Sequence, residues 1–263
     1  MTPVNKTLKR IRPLKVILFG TFAFLYIPII ALMAMSFNGS HSPFILKGFS
    51  FRWYSVLIHD DRVIHGLINT LIVAVGSTLL SSVLGTLLAV GLHRYTKSSF
   101  LNAFALAPAI VPDIVLGIGL LALYALLSVS LGLYSVLLAH VVFSMAFVTA
   151  VVKARLAHTD KYLREASMDL GATRTATFMR ITVPSLAPAI LAGGLLAFTL
   201  SLDEFVIAFF TNGPTTPTLP IVIYSMVRFG VTPEINALAT LLMLVSFTAV
   251  IFAQRMTRPT EEQ

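Results

Sequence analysis

Three carboxylic acids stand inside stretches that are otherwise apolar enough to lie in lipid: Asp113, Asp203 and Glu204. Placing a charge within a membrane span costs free energy, so a carboxylate there is expected to have a function. The same stretches hold no Lys or Arg. The cation that each carboxylate needs can be a basic side chain of another subunit, a proton, or a substrate. A substrate would have to be cationic, because an anion would be repelled along this route.

The three acids differ in their predicted depth. Asp113 comes about 12 residues into its span, which is roughly 18 Å along a straight helix and close to mid-membrane. Asp203 and Glu204 come late in theirs, and on a helix they point about 100° apart. Glu204 is predicted to lie nearer the face of small residues that includes Ser201 and packs against other helices. Asp203 is therefore the acid expected to face a solute path. His140 is expected to be a hydrogen-bonded structural histidine.

A second stretch is polar and basic, and it separates two apolar spans: Glu165 to Pro184, which reads EASMDLGATRTATFMRITVP. Before it, Thr159 or Asp160 can cap a short helix. Leu163, Ala166 and Leu170 would form an apolar stripe on that helix.

A glycine and a threonine divide this stretch in two. Gly171 suits a left-handed C-terminal cap, and Thr173 can begin a second short helix through Arg180, with Pro184 at the start of the next span. The pattern predicts two short helices with apolar faces. They either lie on the membrane as an amphipathic hairpin or fit a groove of a partner protein, and the periodicity leaves both open.

The elements that position these residues are membrane helices. The chain has 263 residues, 57% of them hydrophobic and 11% charged, with a mean hydropathy of +0.88, whereas soluble domains carry about 25% charged residues. An all-α polytopic membrane protein forming one transmembrane domain over 1–263 is therefore predicted. Spans of about 20 apolar residues are expected at 14–36, 67–92, 101–127, 135–152, 185–210 and 235–254. The first is expected to be retained rather than cleaved as a signal peptide.

The distribution of basic residues predicts how the spans are oriented in the membrane. Only Lys47, Arg52, Arg62 and Arg228 fall on one side of the predicted spans, and the other Lys and Arg residues fall on the opposite side. The positive-inside rule places both termini and the segment 153–184 in the cytoplasm. We interpret the net charge of +8 as basic residues that contact anionic lipid headgroups, and not as a nucleic-acid binding surface. The absence of cysteine excludes disulfides and thiolate metal sites, and no metal site is expected.

Small and helix-breaking residues predict how the spans pack. Four small residues follow one another at four-residue spacing on the second span and on the fifth, which favours close helix packing in lipid. These are Ser77, Ser81, Gly85 and Ala89, and then Ala189, Gly193, Ala197 and Ser201. The third span is expected to be broken near its middle by Pro108, Pro112, Gly117 and Gly119. The loop 37–66 is rich in aromatic residues and is expected to hold a short interfacial helix capped by Ser50, with an external partner surface as the alternative.

The polar stretch resembles the EAA loop of binding-protein-dependent ABC importer permeases. That pattern stands here as Glu165-Ala166-Ser167, Gly171 and Ile181-Thr182-Val183-Pro184, with serine and valine in place of an alanine and a leucine. The resemblance implies a type I importer permease fold and a coupling role toward an ATPase for Glu165, Ala166 and Gly171.

The likeness covers nearly the whole chain. Phe51-Arg52-Trp53-Tyr54, Asn69-Thr70-Leu71, Ala107-Pro108 with Pro112-Asp113, the run from Phe198 to Glu204, and the run from Pro233 to Ala237 resemble the second membrane subunit of spermidine/putrescine importers. Many of these relatives carry two acids where this chain has Asp203 and Glu204. The resemblance implies a bacterial inner-membrane location, a polyamine substrate, a homologous second permease, two ATPase subunits and an external solute-binding protein.

No enzymatic motif is visible. The chain has no G-x-x-x-x-G-K-[ST] loop, no H-E-x-x-H and no G-x-S-x-G. It is therefore expected to be non-catalytic and to hold no cofactor itself, with ATP and Mg bound by the partner ATPase. Two alternatives stay open: an ABC permease for another cation, such as ferric ion or thiamine, and an ion-coupled secondary transporter with Asp113 as a proton relay.

Overall fold

The computed structural model describes residues 3–257 apart from 41–44, 46, 97, 161 and 231, and it describes side chains from residue 15 to residue 248 with the same gaps and residue 246. Within these residues the fold is all-helical. The helices are α1 (Pro3–Met35), α2 (Arg52–Ile58), α3 (Asp61–Arg94), α4 (Ser99–Leu106), α5 (Asp113–Leu126), α6 (Leu133–Ala157), α7 (Tyr162–Asp169), α8 (Arg174–Thr177), α9 (Val183–Asp203), α10 (Val206–Thr211), α11 (Leu219–Phe229) and α12 (Pro233–Thr257). The chain divides into two compact units, Met1–Asp60 with Met226–Val245, and Asp61–Ser225 with Ser246–Gln263.

Four helical segments among the described residues are long and apolar enough to cross a membrane: Lys15–Met35, Asp61–Arg94, Leu133–Ala157 and Arg174–Asp203. A fifth span results if the bent pair of α4 and α5 crosses as one. The sixth predicted span lies in α12, whose side chains are described only in part. The prediction of several apolar spans is confirmed, and the count of six stays a prediction.

The predicted break in the third span is confirmed. After α4 comes a single 3-10 turn, Ala107–Ala109, and α5 begins at Asp113 with Pro112 before it. The two helical pieces are bent by 101°, because a proline restricts the residue before it and cannot donate a backbone hydrogen bond. The predicted depth of about 18 Å for Asp113 requires a straight helix and is therefore wrong as a measure of its position.

The core of the larger unit is formed by α3, α6 and α9, and both predicted small-residue faces are buried in it. A Cβ atom added at Gly85 would lie 2.9 Å from Val148 Cβ and 3.1 Å from the carbonyl oxygen of Met145. One added at Gly193 would lie 3.3 Å from Val148 Cα. The small residues therefore let both α3 and α9 pack closely against α6 around Val148, as close packing in lipid requires.

The smaller unit contains the aromatic loop. Phe37 stacks on Phe49 with ring centroids 5.1 Å apart, and Phe51 meets both rings edge-on. Trp53 is buried and its Nε1 donates to the carbonyl oxygen of Asn38 over 2.7 Å. The predicted short helix is α2, but its N-cap is Phe51, and the Ser50 hydroxyl accepts from Arg52 N instead. The prediction of a helix capped by Ser50 is thus right about the helix and wrong about its cap.

The polar stretch between α6 and α9 differs from its prediction at its second half. The Asp160 carboxylate accepts from Tyr162 N at the start of α7, Gly171 has φ +87, and the Thr173 hydroxyl accepts from Ala176 N at the start of α8. These three features were predicted. The second helix does not end at Arg180, however, because a π-helical segment, Phe178–Thr182, continues α8 into α9.

Candidate functional site

Two acidic residues lie where α9 ends. Asp203 is its last helical residue, and Glu204 leaves the helix with φ −66 and ψ 106. The Glu204 Oε1 atom accepts a hydrogen bond from Ile207 N over 2.9 Å, so this side chain caps the first turn of α10. The prediction that Asp203 rather than Glu204 faces the solute path depends on a continuous helix through both residues. That geometry is wrong, because the helix ends between them.

The third acid reaches this break through the packing of α5 against α10. A Cβ atom added at Gly117 would lie 2.9 Å from the Phe210 ring, and Ile207 is buried in one cluster with Leu120 and Tyr124. Gly117 lies one turn after Asp113. The contact therefore brings the first turn of α5 to the first turn of α10.

As a result the three carboxyl groups are close to one another. Glu204 is within electrostatic range of both Asp113 and Asp203. The Asp113 and Asp203 side chains are exposed on the isolated chain and Glu204 is half-buried. Among the described residues, none of the three forms an ion pair with a Lys or Arg. An exposed acidic cluster at helix termini can attract a cation that reaches it from outside this chain.

A cluster of aromatic rings begins directly after Glu204 in the chain. Phe205 follows Glu204 directly, its ring centroid lies 4.9 Å from that of Tyr224, and Phe209 lies 5.8 Å from Tyr224. The ring faces of such residues attract cations. These three aromatic residues were not among the residues predicted from the sequence. The four-residue spacing of Phe205 and Phe209 was a visible signal, but nothing local indicated that Tyr224 on α11 joins them.

His140 occupies the structural position that was predicted for it. It is 1% exposed, and its Nδ1 atom lies 2.7 Å from the Ser201 hydroxyl. The Ser201 hydroxyl accepts a hydrogen bond from the Ser77 hydroxyl over 3.1 Å. The three residues belong to α6, α9 and α3, so the bonds join the helices of the core at one level.

The segment with the EAA-like pattern presents an uncovered surface. Glu165 and Ala166 are exposed on α7, and the apolar side chains of Leu163 and Leu170 are 54% and 89% exposed. Gly171 ends the helix with a positive φ and has no atom within 4 Å of an added Cβ. An apolar stripe of this kind is typical of a helix that fits into a groove.

A resident metal is not indicated by the described part of the chain, where no group of three or more His, Cys, Asp or Glu residues is arranged to hold an ion.

Comparison with known proteins identifies the family. The family model described as "Binding-protein-dependent transport system inner membrane component" matches residues 81–260. The chain is 43% identical over 237 residues to the putrescine transport system permease protein PotI of Escherichia coli K12, covering 87% of this chain and 84% of the relative. It is 41% identical over 239 residues to the spermidine/putrescine transport system permease protein PotC of the same strain, covering 90% of each.

The fold is also found in a solved structure. A chain of a bacterial ABC transporter that imports the acidic polysaccharide alginate superimposes with a TM-score of 0.72 at 19% identity, covering 99% of this chain and all of that one. An all-helical permease fold with several apolar spans is thereby confirmed. From the matched residues and the identity to these relatives, the chain is a multi-pass inner-membrane transport permease that belongs to the family of binding-protein-dependent transport system inner membrane components.

Proposed function

We propose that this chain is a permease subunit of an ABC importer for the polyamines putrescine and spermidine. The observation that carries the proposal is the cluster of Asp113, Asp203 and Glu204, which has no basic partner among the described residues. Polyamines are extended polycations, so a set of neighbouring carboxylates matches their charge. The names of the relatives PotI and PotC, for putrescine and for spermidine/putrescine, agree with this chemistry.

The aromatic rings of Phe205, Phe209 and Tyr224 would complement the carboxylates. A polyamine alternates ammonium groups with methylene segments, and aromatic faces bind both. A cation over an aromatic face contributes about 0.5–1 kcal/mol at an exposed site. Such contacts hold the substrate weakly, which suits a transport path because a deep energy well would trap the solute.

Coupling to a separate ATPase is assigned to Glu165, Ala166 and Gly171 within the segment 153–184. The exposed stripe of Leu163, Ala166 and Leu170 supports this proposal, since an apolar helix face on a polar segment needs a partner. Hydrolysis of ATP, and the binding of ATP and Mg, belong to that partner. Conformational change at the ATPase would move α7 and thereby open the spans that hold the acids alternately to the two sides.

The remaining partners are a homologous second permease, two copies of the ATPase and an external solute-binding protein. The apolar span Lys15–Met35 has no buried side chain in its central window, so it is available for lipid or for another subunit. A solved structure of the same fold, at 21% identity and a TM-score of 0.70, contains a bacterial alginate ABC transporter in complex with a periplasmic protein. Family membership argues against the ion-coupled secondary transporter.

Uptake of labelled putrescine and spermidine tests the proposal. Cells that lack their own polyamine importers would express the chain with its neighbouring genes, and the control would omit the chain alone. We expect uptake that requires both the chain and ATP. Co-purification of the ATPase without polyamine uptake would instead favour ferric ion or thiamine as the substrate.

A further inference from the structure

We propose that the groove between the end of α3, α7 and the start of α8 binds the headgroup of an anionic phospholipid. The groove is a cavity of about 500 Å³. It lies at the helix ends that the distribution of basic residues assigns to the cytoplasm. We call it the arginine groove, and its lining contains Arg94, Arg164 and Arg174.

The arginine groove is strongly basic. Among the described residues, none of its three guanidinium groups forms an ion pair with a carboxylate. Arg94 is held in place because its Nη2 atom donates to the Thr182 hydroxyl over 2.9 Å. A neighbouring cavity of about 230 Å³ shares Arg94 and Arg164 and adds His93, with Asp160 as its single acidic lining residue. The positive charge therefore exceeds the negative charge, and a phosphodiester is a suitable ligand because guanidinium groups bind it through paired hydrogen bonds.

Beside Tyr95, Thr175 and Thr177, the remaining wall of the arginine groove is apolar, and this feature favours a lipid over a free anion. Leu87, Val90 and Gly91 line the groove on α3, and Phe178 of the π-helical segment also lines it. Leu87 precedes Arg94 by about two helical turns, or roughly 10 Å toward the membrane interior. A phospholipid would place its phosphate at the arginines and an acyl chain along Leu87 and Gly91. Inorganic phosphate or a nucleotide would leave that apolar wall uncovered.

The location gives the lipid a structural consequence. Arg94 ends α3, Arg164 lies on α7 and Arg174 begins α8. One phosphate between them would connect the end of a core helix to the segment that is proposed to contact the ATPase. Basic pockets at the cytoplasmic ends of membrane helices are known as sites for anionic lipids.

Native mass spectrometry of the purified full-length protein tests the proposal, with phosphatidylglycerol and phosphatidylcholine as the two probes. We expect phosphatidylglycerol to be retained preferentially. The variant with both Arg164→Gln and Arg174→Gln should bind it about 25-fold less tightly, since each basic residue near an anionic surface contributes roughly fivefold. The matched control is the variant with both Arg155→Gln and Arg180→Gln, because those arginines are exposed and line neither cavity. It should bind as the unchanged protein does.

A second variant keeps the charge and fills the space. Nothing lies within 4 Å of a Cβ atom added at Gly91, so Gly91→Phe should fold and should also lower the retention of phosphatidylglycerol. Three results would each overturn the proposal: equal retention of both lipids, an equal loss in the control variant, or complete displacement of phosphatidylglycerol by millimolar inorganic phosphate or nucleotide. Since uptake is not measured, failure here is independent of the proposed polyamine transport.

Discussion

The Nδ1 atom of His140 and the hydroxyl oxygen of Ser201 lie 2.7 Å apart, and both side chains are almost fully buried. Ser77 donates to the same hydroxyl. Because the three residues come from α6, α9 and α3, this short chain of hydrogen bonds fixes the relative positions of the core helices in a way that apolar contacts in lipid do not.

Replacing Ser201 by alanine tests that role. Ser201→Ala leaves a buried ring nitrogen of His140 without its partner, and an unsatisfied buried polar group costs about 1–3 kcal/mol. We expect a lower thermal transition of the detergent-purified protein. Ser225→Ala is the control, since that hydroxyl donates only to Val222 O of its own helix. An unchanged transition for Ser201→Ala would contradict a stabilising role for the bond.

Two glycines of α3 should respond differently to alanine. In Gly85→Ala the new methyl group meets Val148 and the backbone of Met145, neither of which can move freely. Overpacking of this kind costs about 1–3 kcal/mol. Gly91→Ala on the same helix meets nothing within 4 Å and should be neutral or slightly stabilising. Thermal unfolding of both variants measures the difference, and equal behaviour would contradict the close approach of α3 and α6.

Glu204 combines a capping bond with a negative charge, and two substitutions separate these properties. Glu204→Gln keeps an oxygen that can accept from Ile207 N and removes the charge, so it should lower polyamine uptake without loss of stability. Glu204→Ala removes the cap as well and should cost about 1 kcal/mol of stability. Uptake and thermal unfolding are measured on both variants. Normal uptake by Glu204→Gln would show that its charge is not needed.

Asp203 is exposed and makes no ion pair among the described residues, so its carboxylate is available to a passing ammonium group. We expect Asp203→Asn to reduce polyamine uptake about fivefold, because an exposed charge pair contributes up to about 1 kcal/mol. Assembly with the ATPase should be unaffected. Asp61→Asn, which changes an exposed acid at the start of α3, is the control. Uptake at the unmodified level would remove Asp203 from the path.

The exposed position of Glu165 on α7 allows a direct test of coupling. Glu165→Lys reverses a surface charge and should leave insertion and unfolding temperature unchanged, whereas recovery of the ATPase in a pull-down should fall severalfold. Asp61→Lys makes the same exchange outside the segment 153–184. If the ATPase is recovered equally with both variants, Glu165 is not part of the contact.

Local signals in the sequence were sufficient for much of the fold. Hydrophobic runs located the long helices, the small residues around Gly85 and Gly193 identified the packed faces, and Gly171 and Thr173 marked a helix end and a helix start. Each of these features depends on residues within one or two turns, and so they can be read without knowing the tertiary structure.

Features that depend on distant contacts could not be predicted in the same way. The helix break after Asp203 has no proline or glycine to mark it, and the bond from Glu204 to Ile207 N became visible only in the structure. Asp113 joins the acidic cluster from a separate helix, and its approach depends on the contact of Gly117 with Phe210, which no local pattern specifies. Tyr224 likewise meets Phe205 and Phe209 from a separate helix.

The π-helical segment Phe178–Thr182 has a mechanical consequence. It makes the 30 residues of Arg174–Asp203 one continuous element, which at 1.5 Å per residue is about 45 Å long. Gly171, which has a positive φ, precedes one end of this helical element and would act as its pivot. Asp203 lies at the other end. A tilt of about 10° at the pivot would sweep the far end through about 8 Å for a rod of that length. A small displacement at one end of this element would thus be amplified at Asp203.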